Sequence, residues 1–211
     1  MKQSLIRPAL VLALAATLSA CGGSDDDNYT VKGTVSGIVY PGAVLTTNGM
    51  DLPLGVPATP GGTVSFEFPN KLKYGDEYDV QFKSYPANQS QCGSLANTIA
   101  NNKDTAGRLA DINITLACDV DAYALNGTIT GLTVDGLVLA NGSNTGTLTI
   151  GKETTTTPKP YTFTMPVVQF GVSYNVVVVT QPAGLTCSVA NGTGVMGAAN
   201  VTNVAVTCVP N

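Results

Sequence analysis

Apolar and polar residues alternate along several short stretches of the chain. In the first of these, Val31, Gly33 and Val35 alternate with polar residues. The same period continues at residues 64–68, 78–82 and 112–118. Alternation with one apolar face is typical of a β-strand that is buried on one side. These stretches therefore predict strands, and the Gly, Pro and Asn residues between them predict turns.

No stretch beyond residue 20 has a convincing helical stripe. Residues 95–110 are the best candidate, but they are rich in Asn and interrupted by Gly107. We therefore expect a loop there, with one helical turn at most.

One sequence pattern occurs twice. The segment GTVSG at residues 33–37 returns as GTITG at residues 127–131, and further matches follow in the same order to the end of the chain. Such self-similarity indicates a duplication. We place the boundary near residues 119–122, which gives a first repeat at 29–121 and a second repeat at 122–211. About seven short strands in each repeat predict an all-β fold with two tandem β-sandwich domains.

The N-terminus has the features of an export signal. Lys2 and Arg7 precede an apolar run at residues 9–18, and small residues follow. A basic start, a short apolar segment and small residues before a cleavage site are typical of a secretory signal. The run is too short to span a bilayer, which takes about 20 apolar residues. We therefore expect residues 1–20 to be a signal peptide.

The end of this segment, LSAC at residues 18–21, resembles the bacterial lipobox. The resemblance implies cleavage before Cys21, diacylation of its sulfur (with palmitate among the chains expected) and acylation of the new amine. Two or more acyl chains hold a protein stably on a membrane. Residues 21–28 then comprise the lipidated cysteine and a flexible acidic tether. Gly22 is not an aspartate, which by resemblance favours the outer membrane, on its periplasmic or its surface face.

Composition excludes several classes of function. Histidine is absent, so a catalytic triad or a histidine-ligated zinc site is excluded. The formal net charge of −4 gives no basic surplus for nucleic acid. Charged residues are 11 %, against roughly 25 % in an ordinary soluble protein. We expect no cofactor.

Four cysteines remain besides Cys21. Four cysteines allow three pairings, and the duplication selects the pairing within each repeat. That pairing joins Cys92 to Cys118 and Cys187 to Cys208. An exported compartment is oxidising enough to form both bridges. A metal or redox site is the weaker interpretation, because the sequence has no Cys-x-x-Cys spacing and no histidine.

The end of the second repeat carries a family resemblance. The segments QPAGLTCSVANGTG at residues 181–194 and NVAVTC at 203–208 resemble the end of a tandem immunoglobulin-like repeat. Such repeats are common in bacterial secreted proteins and surface lipoproteins. The first repeat fits more loosely, because residues 85–92 depart from the pattern. The resemblance implies immunoglobulin-like domains and a place on the cell envelope, and it implies no catalytic residue.

Two groups of polar residues are candidate sites. Asp76, Glu77 and Asp79 could join Asp119 and Asp121 in a calcium site near the boundary of the repeats, because calcium binds carboxylate oxygens. No complete loop motif is present and the second repeat lacks matching acids, which favours a solvated acidic edge.

The second group is Lys32, Glu67 and Asn113. Their order resembles the lysine–asparagine cross-link of some bacterial immunoglobulin-like domains, which has a carboxylate nearby. Strand alternation places all three on the solvent face, which argues against a cross-link.

These observations predict a non-catalytic envelope lipoprotein, not an enzyme. It would act as a structural, spacer or adhesion and interaction module. It would contact the membrane through its lipid anchor and could bind an envelope protein or a polysaccharide. The alternative is an accessory polysaccharide- or protein-binding lipoprotein of a transporter or hydrolase system. An exposed row of aromatic residues would favour the alternative, because sugar rings stack on such rows.

Overall fold

The computed structural model describes residues 28–94, 101–109, 111–142, 146–152 and 160–211. Within these ranges the chain is all-β, and every regular element is a strand. Two separate hydrophobic cores are present. One is built from residues between Val31 and Cys118, and the other from residues between Leu125 and Cys208.

The first repeat forms two larger sheets and two short ladders. The larger sheets have the strand orders β5-β2-β11-β9 and β4-β3-β8, and the ladders pair β1 with β6 and β7 with β10. The strands are β1 (Asn28–Tyr29), β2 (Val31–Ser36), β3 (Val44–Thr47), β4 (Met50–Pro53), β5 (Thr63–Glu67), β6 (Leu72–Lys73), β7 (Glu77–Asp79), β8 (Gln81–Ser84), β9 (Gln91–Ser94), β10 (Lys103–Thr105) and β11 (Ile112–Asp119).

The second repeat forms two four-stranded sheets. Their strand orders are β15-β12-β19-β17 and β14-β13-β16-β18. The strands are β12 (Ala122–Thr130), β13 (Leu137–Asn141), β14 (Leu148–Ile150), β15 (Tyr161–Gln169), β16 (Ser173–Thr180), β17 (Leu185–Ala190), β18 (Thr193–Val195) and β19 (Val201–Pro210).

Strand alternation explains how the cores form. In β11, Ile112, Ile114, Leu116 and Cys118 are buried, while the residues between them are more exposed. Leu45 from the three-stranded sheet packs into the same core as these side chains. A core filled from the inner faces of two sheets is consistent with a β-sandwich.

The first and last long strands of each repeat run parallel to each other. Six residue pairs join β2 to β11, from Val31–Ile112 to Ser36–Ala117. β12 pairs with β19 in the same way, with a register shift near Leu125. Because the paired strands point in one direction, the chain enters each repeat at one end and leaves it at the other.

The duplicated glycine motif follows from this parallel pairing. A Cβ added to Gly33 would lie 2.0 Å from the carbonyl oxygen of Ile114, and one added to Gly127 would lie 2.4 Å from that of Val204. Gly37 and Gly131 have φ angles of 78° and 77°. Only glycine permits so close a backbone approach and adopts this φ without strain.

The loop expected at residues 95–110 contains a strand. Lys103–Thr105 forms β10 and pairs with the edge of β7. The prediction of a loop with one helical turn at most was therefore wrong for these three residues. They carry no apolar alternation, and the pairing depends on the open edge of β7. Residues 95–100 and 110 lie outside the described residues.

Candidate functional site

Both predicted disulfides are present. Cys92 is bonded to Cys118 and Cys187 to Cys208, with Cα–Cα distances of 4.1 Å and 3.9 Å. In each pair the two residues lie directly opposite each other on neighbouring antiparallel strands, β9 with β11 and β17 with β19. Each bridge therefore fastens the last strand within its own sheet. In antibody domains, by contrast, the conserved bridge joins two sheets.

Asp121 connects the two repeats. Its backbone N–H donates a 2.9 Å hydrogen bond to the carbonyl of Asn88. Its Oδ1 accepts hydrogen bonds from the backbone N–H and the hydroxyl of Ser90, at 2.8 Å and 2.7 Å. Its carbonyl accepts a 2.8 Å bond from the N–H of Phe170 in the second repeat. A single residue is thus bonded to both repeats.

An aromatic contact lies beside this connection. The rings of Tyr40 and Phe170 meet edge to face, with centroids 5.5 Å apart. A Cβ added to Gly171 would lie 3.2 Å from the Tyr40 hydroxyl oxygen, so glycine leaves room for that hydroxyl. Edge-to-face aromatic pairs contribute about 0.5–1.5 kcal/mol beyond area burial. We call Tyr40, Asn88, Ser90, Asp121 and Phe170 the junction.

A buried glutamine positions Tyr40. Gln89 is 0 % exposed, and its amide nitrogen donates to the carbonyl of Gly37 at 2.7 Å. Its amide oxygen accepts hydrogen bonds from the N–H groups of Val39 and Tyr40, at 2.8 Å and 3.1 Å. These bonds hold the loop between β2 and β3 against the turn that precedes β9. Sequence reasoning missed this role, because nothing in the local pattern around Gln89 indicates burial.

The junction makes a testable prediction about flexibility. We expect Asp121→Ala to widen the range of angles between the repeats, because both bonds to Ser90 are lost and hydrogen bonds to a charged group contribute about 1.5–3 kcal/mol. Small-angle X-ray scattering should report a broader distribution of interatomic distances.

Asn211→Ala is the matched control for this experiment. Asn211 bonds to Gly184 and Thr186 as Asp121 bonds to Asn88 and Ser90, but it lies at the opposite end of the second repeat from the junction. Its substitution should leave the scattering curve unchanged. Identical curves for Asp121→Ala and the unmodified chain would contradict the assigned role.

The five candidate calcium ligands do not converge on one site. Asp76 accepts a hydrogen bond from the N–H of Lys73, and Asp79 pairs with Lys103 at 3.6 Å. Glu77 and Asp119 are exposed, and Asp121 belongs to the junction. Within the described ranges, no group of three or more acidic, histidine or cysteine side chains is placed to hold a metal ion.

Lys32, Glu67 and Asn113 are direct neighbours on three adjacent strands. Lys32 lies opposite Glu67 on one side and Asn113 on the other. All three are exposed, as strand alternation predicted, and they line a shallow cavity of about 390 Å³. Lys32 Nζ lies 3.8 Å from Asp111 Oδ1. The open surface keeps these groups in water and therefore provides no dry environment for a cross-linking reaction.

An aromatic pair lies beside a small cleft of the first repeat. The rings of Phe82 and Tyr85 are stacked with centroids 5.6 Å apart, and Tyr85 is 49 % exposed. The cleft has a volume of about 220 Å³, and its polar lining includes Gln81, Ser94 and Asn102. No local pattern predicts that this tyrosine is exposed.

Hydrogen bonds shift the pKa of one exposed carboxyl group. The ammonium group of Lys83 and the hydroxyl of Thr46 both donate to Asp51, and they hold the pKa of Asp51 below its usual value. This arrangement spans β3, β4 and β8 on the surface. It stabilises a carboxylate and offers no general base, because the charge is already paired.

Burial raises the pKa of the Tyr78 hydroxyl above its usual value of 10.0, and the Asp104 carboxylate acts in the same direction. The unfolded chain therefore loses this proton at a lower pH than the folded protein. The free energy of unfolding should be fully retained below pH 10 and should fall as the pH rises beyond it. Urea unfolding of Tyr78→Phe between pH 8 and 11 should show a weaker fall than the unmodified chain. Equal falls would contradict this explanation.

Cys21 and the rest of the predicted signal and tether, up to residue 27, lie outside the described residues. In the part of the chain that the structure describes, no helix is long and apolar enough to cross a bilayer. No protein-family model matches the chain, and no curated protein matches it.

Proposed function

We propose that the chain is a non-catalytic cell-envelope lipoprotein with two immunoglobulin-like domains, and that it acts as a spacer or interaction module. The end-to-end connection through Asp121 carries this proposal. Asp121 bonds to Asn88 and Ser90 of the first repeat and to Phe170 of the second. Because the chain enters and leaves each repeat at opposite ends, this connection suits repeats joined end to end. Such an arrangement holds a distal surface away from an anchored N-terminus.

The chemistry of the chain also supports a non-catalytic role. Catalysis by proton transfer needs an acid or base whose pKa is tuned near the working pH. Histidine is absent from the chain, and the Asp51 carboxylate is paired on an open surface. The parallel pairing of first and last strands suits a module with separated ends.

The anchor provides the test of the proposal. Mass spectrometry of protein extracted from membranes should find Cys21 as an acylated mature N-terminus. Cys21→Ala should move the protein from the membrane to the soluble fraction, because the acyl chains supply the membrane affinity. A mature terminus elsewhere, or unchanged partition of the variant, would refute the lipoprotein assignment.

One observation favours the accessory polysaccharide binder as a second candidate. The exposed Tyr85 ring lies over Phe82 beside polar groups of the cleft, an arrangement on which a sugar ring could stack. Binding to a panel of polysaccharides should then be lost in Tyr85→Ala. It should persist in Tyr74→Ala, which removes another exposed tyrosine (55 % exposed). Absence of binding by the unmodified chain would exclude this candidate.

A further inference from the structure

The second repeat has a counterpart of the surface that forms the junction. In the first repeat, Asp121 donates to the carbonyl of Asn88 and accepts from the hydroxyl of Ser90. In the second repeat, Asn211 donates to the carbonyl of Gly184 at 3.2 Å and accepts from the hydroxyl of Thr186 at 2.6 Å. The same two bonds therefore recur.

The turns that carry these groups also match. The N–H of Gln89 donates to Pro86, and the N–H of Leu185 donates to Pro182, both at 3.2 Å. Asn88 and Gly184 occupy corresponding positions and have positive φ angles of 56° and 73°. The backbone framework of the junction is thus present at the end of the second repeat.

The two surfaces differ in what covers them. In the first repeat the turn containing Phe170 and Gly171 lies against Tyr40. Val134 takes the place of Tyr40 in the second repeat and is 36 % exposed. Gly184, Thr186 and Asn211 are exposed as well. We call Val134, Gly184, Thr186 and Asn211 the end surface.

We propose that the end surface binds a β-turn of a partner protein in which an aromatic residue is followed by glycine. The junction is the template for this interaction. There the aromatic ring packs on the loop after β2, the turn N–H donates to a main-chain oxygen, and the glycine adopts the positive φ of 78° that this turn requires. This inference rests on the proposed role as an interaction module and specifies its surface and the chemistry of its partner.

The chemistry of the end surface favours a protein turn over a sugar as its ligand. It has an aliphatic side chain where sugar binding would favour an aromatic platform, and its other contacts come from main-chain and small polar groups. An aromatic ring gains by covering the exposed valine, and a backbone N–H matches the main-chain acceptor. The ring and the backbone N–H of the partner turn would therefore play the parts that Phe170 plays at the junction.

A peptide can test the surface with the full chain. The probe is a cyclic peptide that copies residues 167–174, VVQFGVSY, which include the Phe170 turn. It is added at millimolar concentration to the isotope-labelled full chain in detergent micelles. NMR shifts are expected at Val134, Gly184, Thr186 and Asn211. The junction serves as an internal control, because its own turn already occupies it.

Substitutions make the test specific. A peptide with the phenylalanine replaced by alanine should bind about tenfold more weakly, because the apolar area that the ring buries on Val134 is lost. Val134→Asp should abolish the shifts. Val195→Asp is the matched control, because Val195 is 63 % exposed and lies opposite Ser173, at the end of the repeat that carries the Phe170 turn. Both variants should keep the dispersed spectrum of a folded protein.

Four outcomes would overturn the proposal. The first three are no shifts at millimolar peptide, shifts confined to another surface, and equal binding of the alanine peptide. The fourth concerns Tyr74 and Gly75, the exposed aromatic–glycine turn of the first repeat that corresponds to Phe170 and Gly171. Self-association of the chain that both Val134→Asp and Tyr74→Ala remove would assign the surface to a second copy. Cys21→Ala should leave peptide binding intact. Failure of the lipid anchor and failure of the end surface are therefore distinguishable.

Discussion

Gly131→Ala is expected to destabilise the second repeat by about 4 kcal/mol, or to prevent it from folding. Gly131 has a φ of 77°, which costs an L-residue about 1–2 kcal/mol. In addition, its Cβ would lie 2.1 Å from the carbonyl oxygen of Cys208. That oxygen belongs to β19, which pairs with β12 and β17 on its two sides. Relief of the clash would therefore need a shift of the strand that holds the sheet together.

Gly184→Ala separates the two causes. Gly184 has a similar φ of 73°, but nothing lies within 4 Å of the added Cβ. Its substitution should cost only the conformational part, about 1–2 kcal/mol. Urea unfolding of both variants measures the difference. Equal losses of stability would mean that the close approach to β19 contributes nothing.

Removal of the Cys187–Cys208 bridge should have the next largest effect. The bridge closes a separation of 21 residues, for which loop entropy predicts a loss of about 3 kcal/mol. We expect the double variant Cys187→Ala with Cys208→Ala to lower the unfolding midpoint of the second repeat. The first repeat should change far less, because its hydrophobic core contains none of the same residues.

The matched control is Cys92→Ala with Cys118→Ala. It removes the bridge that closes a comparable separation of 26 residues in the first repeat. Its effect should fall mainly on the first repeat. Peptide mapping without reduction checks the pairing directly. A disulfide-linked peptide that joins the two repeats, or equal destabilisation of both repeats by either double variant, would contradict the separation.

The sequence predicted those parts of the fold that depend on local periodicity or on the duplication. Alternation predicted β2 and β11, because each of these strands buries one of its faces and leaves the other more exposed. The duplication identified the cysteine pairs. It also singled out the glycines at residues 33, 37, 127 and 131, but their cause is the parallel pairing, which no local pattern reveals.

Contacts between distant segments could not be predicted from the sequence. Asp121 was singled out as a possible calcium ligand, and its bonds to Ser90 and Phe170 depend on how the repeats meet. Gln89 is buried only because a loop about fifty positions earlier in the chain folds over it. The strand β10 forms because β7 offers an edge. In each case the deciding partner is remote in the chain.

The parallel pairing of β12 with β19 determines how the second repeat responds to mechanical load. Suppose the chain is pulled by an anchored N-terminus and a partner near Asn211. The two strands are then drawn along their own axes in opposite directions. Their ladder, from Leu125–Val201 to Thr130–Thr207, is loaded in shear, so several hydrogen bonds must break together. The Cys187–Cys208 bridge ties β19 to β17 and leaves this ladder uncrosslinked. The ladder is therefore the point at which tension would be resisted and at which it would finally be released.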